Sequence, residues 1–271
     1  MNRALCLLPL LLAFGCAHPG PAATAQTNVP AAARSELAPN GKLRVGLIAV
    51  NPIFVTQGTP AGVNKGVAVD IAQQLADRLQ VPLEAKRYAT VGQMVESAGK
   101  GEWDVAFLAI DPERASAMDF TGPYMYSENS FLVRGDSTAR GIGDLDKPGV
   151  KIGTFARSAQ EIWLKKNAKS AEIVSASSPA AAYEMLKEGK VDAVSSVSSL
   201  LAGAAKQVPG SRVLPTSFVD APIGMAVAKS RPAGHAYAKQ FIEQLNASGQ
   251  VREFIAREGL VGVRAATNET K

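Results

Sequence analysis

The densest chemistry in the chain lies between Asp104 and Tyr124, in the run Asp-Val-Ala-Phe-Leu-Ala-Ile-Asp-Pro-Glu-Arg-Ala-Ser-Ala-Met-Asp-Phe-Thr-Gly-Pro-Tyr. Residues 104–110 are apolar enough for a buried strand. Asp111 is a natural helix N-cap, Pro112 fits the first helical position, and Arg114 falls in the first turn. An arginine there stands beside backbone N–H groups without helical partners, and its planar guanidinium can hold a carboxylate by two parallel hydrogen bonds. The spacing reads as an anion clamp. The plainer alternative is that Arg114 neutralises Asp111 or Asp119 on a surface.

A clamp of this kind needs a scaffold, and 271 residues suffice for one large domain or for two lobes of about a hundred residues each. The net charge of +5 is spread without Lys/Arg blocks or interleaved aromatics, which speaks against nucleic acid. The cysteines are Cys6 and Cys16, both ahead of the expected domain, so no disulfide or thiol chemistry is expected in it. His18 and His235 are too few and too far apart for a metal site, and no motif calls for a cofactor.

Residues 1–16 carry Arg3, an apolar run broken by Pro9, and then Gly15-Cys16. This reads as an export signal, too short to span a bilayer. Ala13-Phe14-Gly15-Cys16 follows the pattern of a bacterial lipobox, in which Cys16 is acylated and becomes the first mature residue. Ala13 and Phe14 depart from that pattern, and ordinary cleavage after Ala23-Thr24-Ala25 is the alternative. Residues 17–40, rich in Ala, Pro, Thr and Asn without period, suit a flexible tether to a membrane anchor.

Folding is expected to begin near Lys42. Residues 43–50 read as a strand, 69–79 as a helix with Ile71, Ala72, Leu75, Ala76 and Leu79 on one face, 82–88 as a strand, 91–98 as a short helix and 104–110 as the next strand. The order βαβαβ then restarts, with strands at 130–133 and 150–154, helices at 158–166 and 179–189, and a strand at 191–196. Gly189-Lys-Val-Asp192-Ala repeats Gly101-Glu-Trp-Asp104-Val, each after a short helix, as two lobes of one topology would. A strand at 224–229 and two helices separated by Gly249 complete the chain.

These segments, above all Gly66-Val-Ala-Val-Asp70-Ile-Ala, the Arg114 run, 189–194 and Ile223-Gly-Met-Ala-Val, resemble the periplasmic solute-binding proteins of family 3, the ligand-capturing components of amino-acid ABC importers. The resemblance spans roughly residues 41–262. It implies an α/β type II periplasmic binding protein: two similar α/β lobes joined by a two-strand hinge, closing on a ligand like a clam. Residues 41–126 would form the first lobe, 127–220 the second, and 221–271 the return to the first with a C-terminal tail. The implied partner is an ABC permease of the inner membrane, and the implied state a periplasmic monomer tethered through Cys16.

In that family the ligand carboxylate meets the arginine matched here by Arg114, and a helix-start threonine of the second lobe is matched by Ser158. The aspartate that meets the ligand ammonium is matched by Val197. Ala109 stands where a serine or threonine usually helps the carboxylate, and Asp111 where the turn threonine is usual. Arg157 replaces a glycine and is either a second cation at the cleft mouth or a solvated helix-start residue. Asn51-Pro52-Ile53-Phe54 follows the first strand, so Phe54 is a candidate lid over the ligand or simply core. Trp103 and Trp163 read as packing residues.

The expected function is non-catalytic capture of a small carboxylate, an organic acid or an amino-acid-like molecule. One rival is a cyclohexadienyl-dehydratase-like enzyme, which needs a general acid; Glu161 and Asp220 are the candidates. Another is an accessory protein that docks a redox enzyme through an exposed apolar patch.

Overall fold

The computed structural model describes residues 28–49, 51–55 and 65–267, so the expected signal segment and Cys16 lie outside the described residues. Its first half alternates α1 (Ala31–Leu37), β1 (Leu43–Ile48), α2 (Val67–Leu79), β2 (Leu83–Tyr88), α3 (Val91–Glu96), β3 (Val105–Ala109) and α4 (Pro112–Ala115). A 17-residue strand, β4 (Met118–Arg134), leads into α5 (Ile142–Leu145), β5 (Lys151–Phe155), α6 (Ala159–Asn167), β6 (Glu172–Ala176), α7 (Pro179–Lys187), β7 (Ala193–Val197), α8 (Ser198–Gln207) and β8 (Ser211–Val213). The chain returns along β9 (Val219–Ala228) to α9 (Pro232–Ser248), α10 (Gln250–Arg257) and β10 (Val263–Ala265).

The strand order is β2-β1-β3-β9-β4-β7-β5-β6, with β8 and β10 also paired to β4. In each half a central strand, β1 or β5, lies parallel between two others, and the last of these pairs antiparallel with a crossing strand. The short sequence repeat has the same job in both halves. Asp104 accepts the amide of Arg44 at 2.9 Å and donates its own to Arg44 O at 2.8 Å, while Asp192 does the same with Lys151, at 2.8 Å both ways. Each aspartate locks the start of its third strand to the first. The surroundings differ: buried Asp104 also holds the guanidinium groups of Arg44 and Arg231, both at 2.7 Å.

Side chains pack in one large core, built from residues 33–125 and again 221–255, and in two smaller ones in the other half. The β4–β9 ladder runs between them. Strand β4 gives Met118, Tyr124 and Met125 to the large core and Phe131, Leu132 and Val133 to the small ones. Gly122-Pro123 is accommodated within β4 by register shifts on either side of Pro123.

The flexible tether expected through residue 40 is not what residues 31–38 form. Helix α1 follows Pro30 and buries Ala33 and Leu37 against the large core, with Leu37 0% exposed. The Glu36 carboxylate accepts the Gly234 amide of α9 at 2.7 Å, and Arg34 donates to Gln80 O at 3.2 Å. Alanine misleads here because it is both a linker residue and the best helix former.

Candidate ligand-binding site

Between the two halves lies a cavity of about 50 Å³. Its apolar wall is formed by Ile48, Ile53 and Phe54 from β1 and the segment after it, Val91 from α3, and Phe155 and Leu200 from the other half. It continues into an outer chamber of about 230 Å³ that shares Ile48, Asn51, Val91, Phe155 and Leu200 with it.

Arg114 is the only charged side chain among the described residues lining the inner cavity. It is 5% exposed, and burial draws its pKa below the usual arginine value while Asp111 and Glu113 pull it back up. Its Nη1 donates to Ala109 O at 2.9 Å, and its Nη2 donates across the cleft to Arg157 O at 2.7 Å. Ala109 therefore contributes a carbonyl rather than a side chain. The backbone N–H groups expected to stand free beside Arg114 are taken: Asp111 caps α4, accepting Glu113 N at 2.9 Å and Arg114 N at 3.4 Å. Asp111 itself lines a separate pocket with Trp163 and Pro222.

Ser158 is fully enclosed at the start of α6. Its hydroxyl accepts Glu161 N at 3.0 Å and lies 3.2 Å from the Thr154 hydroxyl, so the N-capping role is present, and the residue also lines the cavity. Val197, 7% exposed, lines the cavity from the end of β7, opposite Asn129 of β4. Asn51 and Phe54 line it too; Phe54 is buried in the large core, and Asn51 Oδ1 accepts Ile53 N at 3.1 Å, fixing the turn that presents the aromatic ring. Arg157 points elsewhere. At φ +60°, a conformation suited to the glycine it replaces, it sends its side chain to Glu96 at 2.5 Å and lines the outer chamber.

Neither acid considered for catalysis lines the inner cavity. Glu161 is pushed upward by burial, yet the Lys165 ammonium, the Ser175 hydroxyl and the Arg157 amide outweigh this and hold its pKa below the usual carboxylate value. Asp220 accepts the Ser217 hydroxyl at 3.1 Å and sits 3.6 Å from Arg264. Trp103 is core, its indole donating to the Ser97 hydroxyl at 2.9 Å, and Trp163 packs against Phe218 at 5.1 Å.

Sequence reasoning passed over three polar lining residues, Ser127, Asn129 and Gln160. The available signal was Ser127 and Asn129 at alternate positions of a strand that leads into the apolar run Phe131-Leu132-Val133.

Residues 43–258 match the model of the bacterial extracellular solute-binding proteins, family 3. The chain belongs to this family. Among its relatives is a glutamine-binding protein of Geobacillus stearothermophilus, 31% identical over 194 residues, covering 70% of this chain and 73% of that one. The L-cystine-binding protein TcyJ of Escherichia coli (strain K12) is 32% identical over 158 residues, covering 57% and 58%. Among solved structures, an ancestral amino acid-binding protein described as a precursor of cyclohexadienyl dehydratase superposes with a TM-score of 0.69 at 26% identity, over 83% of this chain and 97% of that one. This family-3 protein is thus an extracytoplasmic solute-binding protein with the two-lobed type II fold. No helix among its described residues is long and apolar enough to cross a membrane.

Proposed function

We propose that this family-3 protein captures a small carboxylate between its lobes and hands it to an ABC permease, with residues 41–126 and 221–271 as one lobe, 127–220 as the other, and β4 and β9 as the hinge. The observation that carries the reading is Arg114: one buried cation facing an otherwise uncharged cavity among the described residues. A desolvated guanidinium gains most from an anion that can pair with it bidentately. Ser158 supports the same end from α6, at the start of a helix whose dipole favours negative charge.

The wall at Val197 favours no cation. An α-ammonium beside Val197 would forfeit a charged partner and keep its desolvation cost, a loss of about 1–3 kcal/mol or more. A carboxylate without a free α-amino group fits better. The amino-acid reading has support in the glutamine- and cystine-binding relatives, and it would need an acidic side chain facing the ligand ammonium, which the described lining residues do not provide.

The dehydratase alternative has less support. Glu161, held ionised, is a poor proton donor at neutral pH, and Asp220 is spent on Ser217 and Arg264. For a docking protein the exposed apolar surface is thin: Val261 is the one large exposed hydrophobic among the described residues.

Calorimetry on Arg114→Ala tests the reading, after a thermal-shift screen of organic acids and amino acids supplies a ligand. Binding is expected to be lost with the fold intact by circular dichroism, and Arg114→Lys to rescue it poorly, since an ammonium cannot make the paired contact. Unchanged affinity in Arg114→Ala would remove Arg114 from the site. Membrane tethering rests on Gly15-Cys16. Mass spectrometry of the mature N-terminus should find an acylated Cys16, and an unacylated start at Gln26 would refute the anchor.

A further inference from the structure

Carboxylate capture at Arg114 leaves part of the inner cavity unexplained. Ser127 and Asn129 alternate on β4, so both face the same side, and Gln160 meets them from the first turn of α6. Asn129 and Gln160 are paired. The Asn129 amide donates to Ser127 O at 2.9 Å and Val219 O at 3.1 Å, and its Oδ1 accepts Gln160 Nε2. The Ser127 hydroxyl is different. It is 1% exposed, belongs to the cavity lining, and has no hydrogen-bond partner among the described residues. The ladder offers it none, because Ala221 of β9 and Val263 of β10 flank it. An unpaired buried hydroxyl costs about 1–3 kcal/mol, and of the described residues with such a hydroxyl, Tyr124, Ser127, Tyr183, Ser196, Ser199 and Tyr237, only Ser127 lines the inner cavity, where a ligand can supply the missing partner.

We infer that Ser127 is a specificity-determining residue whose hydroxyl pairs with an uncharged oxygen of the ligand, a hydroxyl or a carbonyl. The inference rests on the carboxylate reading and narrows it to hydroxy- or oxo-substituted monocarboxylates with an apolar body. The neutrality of the second group follows from the surroundings. A serine hydroxyl can donate and accept but cannot neutralise charge, and Ala221, Ile223 and Val197 on the adjoining strands supply no counter-ion. The apolar body follows from Ile48, Val91, Phe155 and Leu200, which the inner cavity shares with the outer chamber.

The test is a set of calorimetric titrations with matched probes: 2-hydroxy-4-methylpentanoate and 4-methyl-2-oxopentanoate against 4-methylpentanoate, and 3-phenyllactate against 3-phenylpropanoate. Wild type should prefer the oxygenated member by about tenfold or more. Ser127→Ala should erase that preference while leaving the plain acid within about twofold of its wild-type affinity, well inside the 1.4 kcal/mol of a tenfold change. Ser199→Ala removes a second unpartnered buried hydroxyl that does not line the cavity, and should change neither. Equal wild-type affinity within each pair, or an equal loss of both members in Ser127→Ala, overturns the role of Ser127 and leaves carboxylate capture standing. Failure of every probe to bind wild type, or undiminished binding by Arg114→Ala, overturns carboxylate capture and the Ser127 inference with it.

Discussion

Arg114 holds the two halves and the cavity in one side chain: one N–H group on Ala109 O of its own half, another on Arg157 O of the other. A guanidinium has five donors, so these two bonds leave capacity for a ligand. Val197, which lines the same cavity from the end of β7, sets in the proposed reading what else that ligand can carry. Placing an acid there by Val197→Asp should move preference towards free amino acids, measured as competition between an amino acid and its 2-hydroxy partner. The shift should reach about tenfold, because a missing partner penalises an ammonium by more than an apolar wall penalises a hydroxyl. No shift in Val197→Asp would mean that the ammonium position lies elsewhere. That Arg114, Ser158 and Val197 would meet in one cavity was legible in the sequence through the family resemblance, because each lies in a short matched segment at the end of a strand or the start of a helix. Ser127 was not, because its meaning depends on what flanks it in the sheet, and Ala221 and Val263 come from strands about 94 and 136 residues further along the chain, contacts that local periodicity does not report.

Among the elements, those with a strong period were read well from sequence: α2, with Ile71, Leu75 and Leu79 inward, and α9, with Tyr237, Phe241, Ile242 and Leu245 inward. Strand β6 was missed because its pattern gives no clean alternation, and α8 because it starts at Ser198 directly after β7 without a breaker. Strand β10 is three residues long and owes its form to pairing with β4. Helix α1 was misjudged from composition, and this difference can be measured. Leu37→Ala should lower the unfolding free energy by about 2–5 kcal/mol in a denaturant titration, as expected for a leucine buried in a core. A change under about 0.5 kcal/mol, usual for a surface or tether residue, would contradict the packing of α1.

At the scale of the molecule, β4 and β9 pair from Met118 opposite Ala228 to Asn129 opposite Val219, with register shifts on either side of Pro123, so the proposed hinge is a sheet ribbon rather than a loose linker. Strand β10 adds a third layer of pairing at Met125, Tyr126 and Ser127, and Arg264 stacks over the Tyr126 ring at 4.1 Å. In the proposed closure, such a hinge places Ser127 and the cavity on the element about which the lobes move. A ligand that closes the lobes should then stabilise the whole chain, by about 2.7 kcal/mol at a hundred times its dissociation constant. The central claim is that this stabilisation follows the carboxylate and not the ammonium. It is tested most directly by calorimetric competition on the wild-type protein between amino acids and their 2-hydroxy and 2-oxo analogues. The account predicts that at least one deaminated acid binds more tightly than its parent amino acid; an amino acid that binds tightly while its deaminated partner is about tenfold weaker, or about 1.4 kcal/mol, would contradict it.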